Sequence, residues 1–220
     1  MTQSRPKKNA APDRRVGSRE AIVQAAQRLF LKRGVGAVSM DDLATEAGVA
    51  RRTLYNQFPS KEDILREMLR ELSEGLRDAL PPGIETQGEV EEVLRRIGTG
   101  VLTFQAPAEF VGLVRITVAD AQQFPWIATA FDAVLDPQLN RFARYLAHLT
   151  TLGVLACPDP LLAAHQFLGL LNEPVLWTRV VRRKQPPIKA DVVVEEAVQM
   201  FLCRYRVVDP SPNPRRKKRA

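Results

Sequence analysis

Cysteine is nearly missing from this chain: Cys157 and Cys203 are the only two among 220 residues, far apart and outside any C-x-x-C. That excludes a disulfide framework and a thiolate zinc site, and suits a reducing cytoplasm. Histidine is equally scarce. His148 and His165 stand without a Cys, Asp or Glu at ligand spacing, so no metal and no cofactor is expected, and both read as packing residues. No apolar stretch reaches the roughly 18 residues that span a bilayer. The basic, polar N-terminus has no apolar core of a signal peptide, so no membrane partner is expected. Strand-like alternation is also lacking, with Val192, Val193 and Val194 the one short β-branched run.

What is present is a soluble globular balance, 45% apolar and 26% charged, with a formal charge of +7 that favours a polyanionic partner. Much of the excess sits at the ends. Arg14 and Arg15 close a basic arm over residues 1–17, which reads either as a minor-groove arm or as a solubilising tail. Residues 209–220 carry three spaced prolines and then a run from Arg215 to Arg219, which reads as a solvated tail before it reads as a non-specific DNA contact or a nuclear address.

Between the tails the spacing is helical throughout, giving an all-α fold. Helices are expected over 18–33, 40–47, 51–57 and 60–80, the last ended by Pro81, Pro82 and Gly83. Others follow over 89–104, 108–123, 126–134, 137–152, 160–181 and 191–207, with Pro174 either kinking or ending its helix. The organisation expected is a short N-terminal helical domain over 18–63 and a larger helical domain over 64–208.

The informative stretch is VSMDDLATEAGVARRTLYNQFPSK, Val38 to Lys61. Ser39 suits an N-cap, with Asp41 and Asp42 where the helix dipole favours negative charge. Leu43 and Ala47 share a face, Gly48 stands where the helix must stop and turn, and Val49 fills the corner. In the next helix Leu54 and Phe58 point inward, so Arg52 and Asn56 lie nearly opposite them, with Thr53 and Tyr55 on the flanks. A guanidinium can pair with guanine, an amide with adenine and a threonine with the thymine methyl, which suits a major groove. Ser60 caps the fourth helix. Lys61 in its first turn opposes the dipole, and reads as a phosphate holder or as a solvated lysine.

Gly48, Val49, Thr53, Leu54, Tyr55, Phe58, Ser60 and Lys61, preceded by Ala21, Ile22, Ala25, Ala26, Leu29, Phe30 and Gly34, resemble the signature of the TetR/AcrR repressors over residues 18–65. The segments FVGLVRITVADAQQFPWIATAF and DPLLAAHQFLGLL resemble, more loosely, the AefR-like branch. The resemblance implies a homodimer on a pseudo-palindromic operator, with a C-terminal domain that senses a small molecule. By position it makes Arg51, Arg52, Thr53 and Tyr55 the base readers, with Asn56 close by, and Ser39 and Lys61 the phosphate contacts. Ala50 departs from the frequent capping Ser, at a cost of about 1 kcal/mol or less.

Phe104, Phe110, Leu113, Thr117, Phe124, Trp126 and Trp177 are candidates to line a pocket for a small, mainly apolar effector, with Arg115 and Asp120 as further polar groups; as aromatics and aliphatics most would be core in any helical protein. The last two long helices are expected to pair two copies, through Leu161, Leu162, Ala164, His165, Leu168 and Leu171 and through Ala197, Val198, Phe201 and Leu202. Glu91, Glu92, Glu195 and Glu196 read as solvated faces. An enzyme is not expected: no nucleophile-base pair, metal set or phosphate-binding glycine loop is present.

Overall fold

The computed structural model describes residues 14–80, 83 and 88–207, all helix and connection apart from one isolated bridge between Leu155 and Arg206. Residues 1–13, Pro81, Pro82, the basic tail, and the side chains of Arg14 and Arg15 lie outside what is described, and with them the readings placed there.

The chain forms two compact units, the first running through Leu72 and taking in Gly112–Phe131, the second comprising Ser73–Val111 and the chain from Asp132 on. In the first, α1 (Arg14–Arg33), α2 (Met40–Ala47), α3 (Arg51–Gln57) and the start of α4 (Lys61–Ala79) surround Ile22, Phe30, Leu43, Leu54, Phe58, Ile64 and Leu65, all fully buried. Helix α1 starts at Arg14, four residues before the expected Ser18, so part of the expected arm is helical.

In the second unit α5 (Val90–Gln105) packs on α8 (Pro160–Asn172) and α9 (Ala190–Tyr205). Phe167 is edge-on to Phe142 at 5.5 Å and to Phe201 at 5.4 Å, and Phe201 lies 4.8 Å from Tyr205, so one aromatic row ties α7 (Pro125–Thr151), α8 and α9 together. Arg95 donates to Glu195 at 2.7 Å, so that carboxylate joins α5 to α9 instead of merely facing solvent, and Arg95 also bonds Glu91 one turn back on α5 itself. The Arg95 guanidinium, with Gln199, holds the Glu195 carboxyl down at about 2.

Pro137 acts differently from expectation, and Pro174 in a way of its own. α6 (Ala108–Asp120) stops three residues early, whereas α7 runs unbroken over Pro125–Thr151 where two helices were expected. Pro137 and Ala133 are both exposed, so the carbonyl that Pro137 leaves without a helical donor is open to water and the helix can continue. At Pro174 the helix neither ends nor breaks. α8 widens into a π-helical turn over Glu173–Trp177, which gives the ring room, and closes with Thr178–Val180.

Candidate nucleic-acid interface

The local chemistry of residues 39–58 yields a helix-turn-helix with the expected boundaries. Ser39 Oγ accepts from the Asp42 N–H at 3.1 Å, and Asp42 Oδ2 accepts from the Ser39 N–H at 3.0 Å, a reciprocal capping box. The Ser39 hydroxyl is the main reason the Asp42 carboxyl titrates below its ordinary range, followed by the Ser39 backbone and Arg33. Gly48 ends α2 in the left-handed region at φ 65°, turning the chain toward α3. Ala50 precedes α3 with no side-chain cap, and Val49 is half-buried in the corner.

Leu54 and Phe58 are buried, and Arg51, Arg52, Tyr55 and Asn56 form the exposed side of α3, with Thr53 half-buried at its edge. Arg51 is held by Asp41 at 3.1 Å and lies over the Tyr55 ring at 5.6 Å. Arg52 and Asn56 have no side-chain partner among the described residues. The remaining acids of α2 are also covered, Asp42 by Arg33 at 3.3 Å and Glu46 by Arg28 at 2.9 Å. Neutralising them lowers the repulsion a polyanion would meet beside α3.

Arg19, which sequence reasoning missed, positions α3 from behind. Its guanidinium lies 4.2 Å over the Phe58 ring, donates to the Gln57 carbonyl at the end of α3, and reaches Glu67 of α4 at 3.0 Å. Arg70 and Arg19 together hold the Glu67 carboxyl at about 2. No spacing rule announces this, because Arg19 and Glu67 meet only when α1 and α4 are packed.

Ser60 caps α4 as expected, accepting from the Asp63 N–H at 3.2 Å. Lys61 has a different environment from either expectation. Its ammonium donates to the carbonyls of Val35 at 2.8 Å, Gly36 at 3.1 Å and Val38 at 3.2 Å, which uses all three of its N–H groups on the α1–α2 loop.

The residues expected to line an effector pocket fall in both units. Phe104 and Phe110 are buried against each other at 4.8 Å in the second unit. Leu113, Thr117, Phe124 and Trp126 belong to the first unit, where Trp126 lies under the Arg66 guanidinium at 5.3 Å. Trp177 is 43% exposed on the π turn. Asp120, a candidate polar group there, instead accepts from the Val35 N–H. A surface cavity of 710 Å³ in the second unit is lined by Arg141, Arg144, Tyr145, His148, Leu149 and Leu152, and one of 490 Å³ lies between α8 and α9; neither contains the expected residues.

The expected pairing residues divide. Ala164, Leu171, Ala197, Val198, Phe201 and Leu202 are buried within the chain itself, because α5 and the aromatic row claim them. Leu161, Leu162 (51% exposed) and His165 are left outside on α8 with Leu168 half-buried, and on α9 Val192 and Met200 (56%), which were not among the expected residues, are exposed as well.

Comparison with known proteins bears on both units. Residues 22–68 match the model described as bacterial regulatory proteins, tetR family, and residues 92–207 match that of the AefR-like transcriptional repressor, C-terminal domain. The regulator EthR of Mycolicibacterium smegmatis is 33% identical over 186 residues, 83% of each chain. TtgR of Pseudomonas putida is 36% identical over 74 residues, so the match spans only 35% of that relative's length. Among solved structures, the flavonoid-responsive regulator FrrA superposes with a TM-score of 0.67 at 28% identity, covering 87% of this chain and 98% of its own. No single helix among the described residues is long and apolar enough to cross a membrane.

Proposed function

Because this chain belongs to the tetR family of bacterial regulatory proteins, with an AefR-like C-terminal domain, we propose that it is a cytoplasmic transcriptional repressor that binds a pseudo-palindromic operator as a homodimer and releases it to a small effector. The carrying observation is the exposed side of α3. Arg52 and Asn56 are unengaged there, next to Tyr55 and an Arg51 already steered by Asp41. Groups with that freedom can adopt the bidentate geometry that guanine and adenine edges demand. Ser39 lies at the adjoining end of α2 for a phosphate, and Lys61 joins it only by exchanging one of its three carbonyls for a phosphate oxygen.

Two copies meet in this reading through the apolar surface that α8 and α9 leave outside, including Leu162, Val192 and Met200. A two-fold reader needs half-sites about 34 to 36 Å apart, so a shift of a few ångström on effector binding suffices for release. The effector reading rests on the kind of regulator FrrA is named to be, and on the separate unit that α5, α8 and α9 build.

Selection from random duplex DNA at physiological salt tests the proposal, since non-specific phosphate binding dominates only when salt is low. The expected outcome is a two-fold symmetric motif that a variant carrying both Arg52→Ala and Tyr55→Ala no longer enriches while remaining dimeric. A folded dimer that enriches no motif would refute operator reading.

A further inference from the structure

Two charged residues stand at the wrong ends of their helices. Lys61 puts a cation in the first turn of α4, and Asp120 puts an anion at the last residue of α6, each against the local dipole. Both are explained by one loop. Asp120 is 7% exposed, the one ionisable side chain among the buried described residues apart from Cys157 and Tyr205, and its Oδ2 accepts from the Val35 N–H at 3.3 Å. Lys61 takes the Val35 carbonyl at 2.8 Å, with those of Gly36 and Val38. The loop that leads from α1 into the Ser39 cap is thus gripped by a carboxylate on its N–H side and by an ammonium on its C=O side.

The fit is specific. Gly34 lies at φ 79°, and a β-carbon there would stand 3.2 Å from Asp120 Oδ1, so glycine both permits the turn and admits the carboxylate. A β-carbon at Gly36 would meet Gln123 at 3.3 Å and Phe124 at 3.6 Å, from the corner just after Asp120. A buried carboxylate with one long hydrogen bond is a poor device for stability, since desolvating the charge costs more than such a bond returns. It is a good device for position.

We propose that Asp120 is the positioning residue through which α6 sets the register of α2 and α3 for operator reading. α6 begins in the second compact unit and from Gly112 onward belongs to the first, so a rotation or draw along this helix acts on the Val35 peptide before it acts on any residue of α3. Lys61 is the firmer side of the grip, because its ammonium holds three carbonyls of the loop. Asp120 is the releasable side, with a single long bond. This inference rests on the proposed operator reading and deepens it.

The full chain is compared with Asp120→Ala, Asp120→Asn and Gly34→Ala in two assays. Hydrogen exchange of the Val35 amide reports the grip without DNA, and binding to the selected operator and to an unrelated duplex reports reading. Removal of the acceptor in Asp120→Ala is expected to speed Val35 exchange and to lower operator affinity about tenfold or more, with binding to the unrelated duplex unchanged. Asp120→Asn keeps an acceptor oxygen and is expected to recover most of both; Gly34→Ala, which crowds the carboxylate, should behave as Asp120→Ala does, also serving should that variant fail to fold. Fast Val35 exchange with an unaltered operator preference would overturn the proposal, as would Asp120→Asn matching Asp120→Ala in both assays. If the parent prefers no sequence at all, operator reading itself has failed, while unchanged Val35 exchange in the variants would separately refute the grip.

Discussion

Replacing Arg52 by alanine separates base reading from phosphate holding. Arg52 is exposed near the start of α3 and bonds no side chain among the described residues, so its loss leaves no buried group unpaired, and alanine is at least as good a helix former. Thermal stability is therefore expected to stay within about 0.5 kcal/mol of the parent. If each Arg52 pairs with a guanine, each half-site loses about 1 to 3 kcal/mol, and a dimer about 2 to 6 kcal/mol. That is roughly 30-fold to 10⁴-fold in operator affinity. Fluorescence anisotropy against the selected operator and against single-base variants, at several salt concentrations, reads both quantities. A base contact predicts loss of preference at one position per half-site with little change in the slope of log affinity against log salt. A phosphate contact predicts equal weakening on every duplex and a slope shallower by about 2 for the dimer. The second result would refute the assignment of Arg52 as a reader, and no change at all would remove it from the interface.

Further outcomes follow from the same local geometry. Gly48→Ala meets no atom within 4 Å of the new β-carbon, so only the backbone conformation is strained; a loss of about 1 kcal/mol, or roughly 2 to 4 °C in melting temperature, is expected with operator binding intact well below the melt. Ser39→Ala removes the capping box at a cost of about 1 kcal/mol, and NMR titration should find Asp42 protonating at higher pH once its main stabilising partner is gone. Glu67 has its carboxyl held at about 2 against an ordinary 4.5 by Arg70 and Arg19, so its contribution is full above 4.5 and is lost as pH falls toward 2. Both arginines are about half exposed, which limits the effect to about 1 kcal/mol. Acid denaturation of Glu67→Gln should lack that component of the pH dependence.

The segment from Ser39 to Phe58 was readable from its residues because its rules are local. A hydroxyl caps the nearest free N–H groups, glycine takes the left-handed turn, and a four-residue repeat of Leu54 and Phe58 decides which side of α3 is left outside. Family likeness and the all-α class were legible for the same reason. Helix ends elsewhere were less so, since whether a proline stops a helix depends on where the orphaned carbonyl points. Pro137 faces water, and Pro174 found a wider turn.

The sequence alone determined the helix-turn-helix, its cap, its turn and its outward polar groups, all set by interactions within a few residues. Tertiary structure alone decided which apolar residues of α8 and α9 are spent on α5 and which remain outside, because one stripe can serve either neighbour. It also decided what Lys61 and Asp120 do. Their charges looked misplaced on their own helices, and the reason lies on a loop that only folding brings to both.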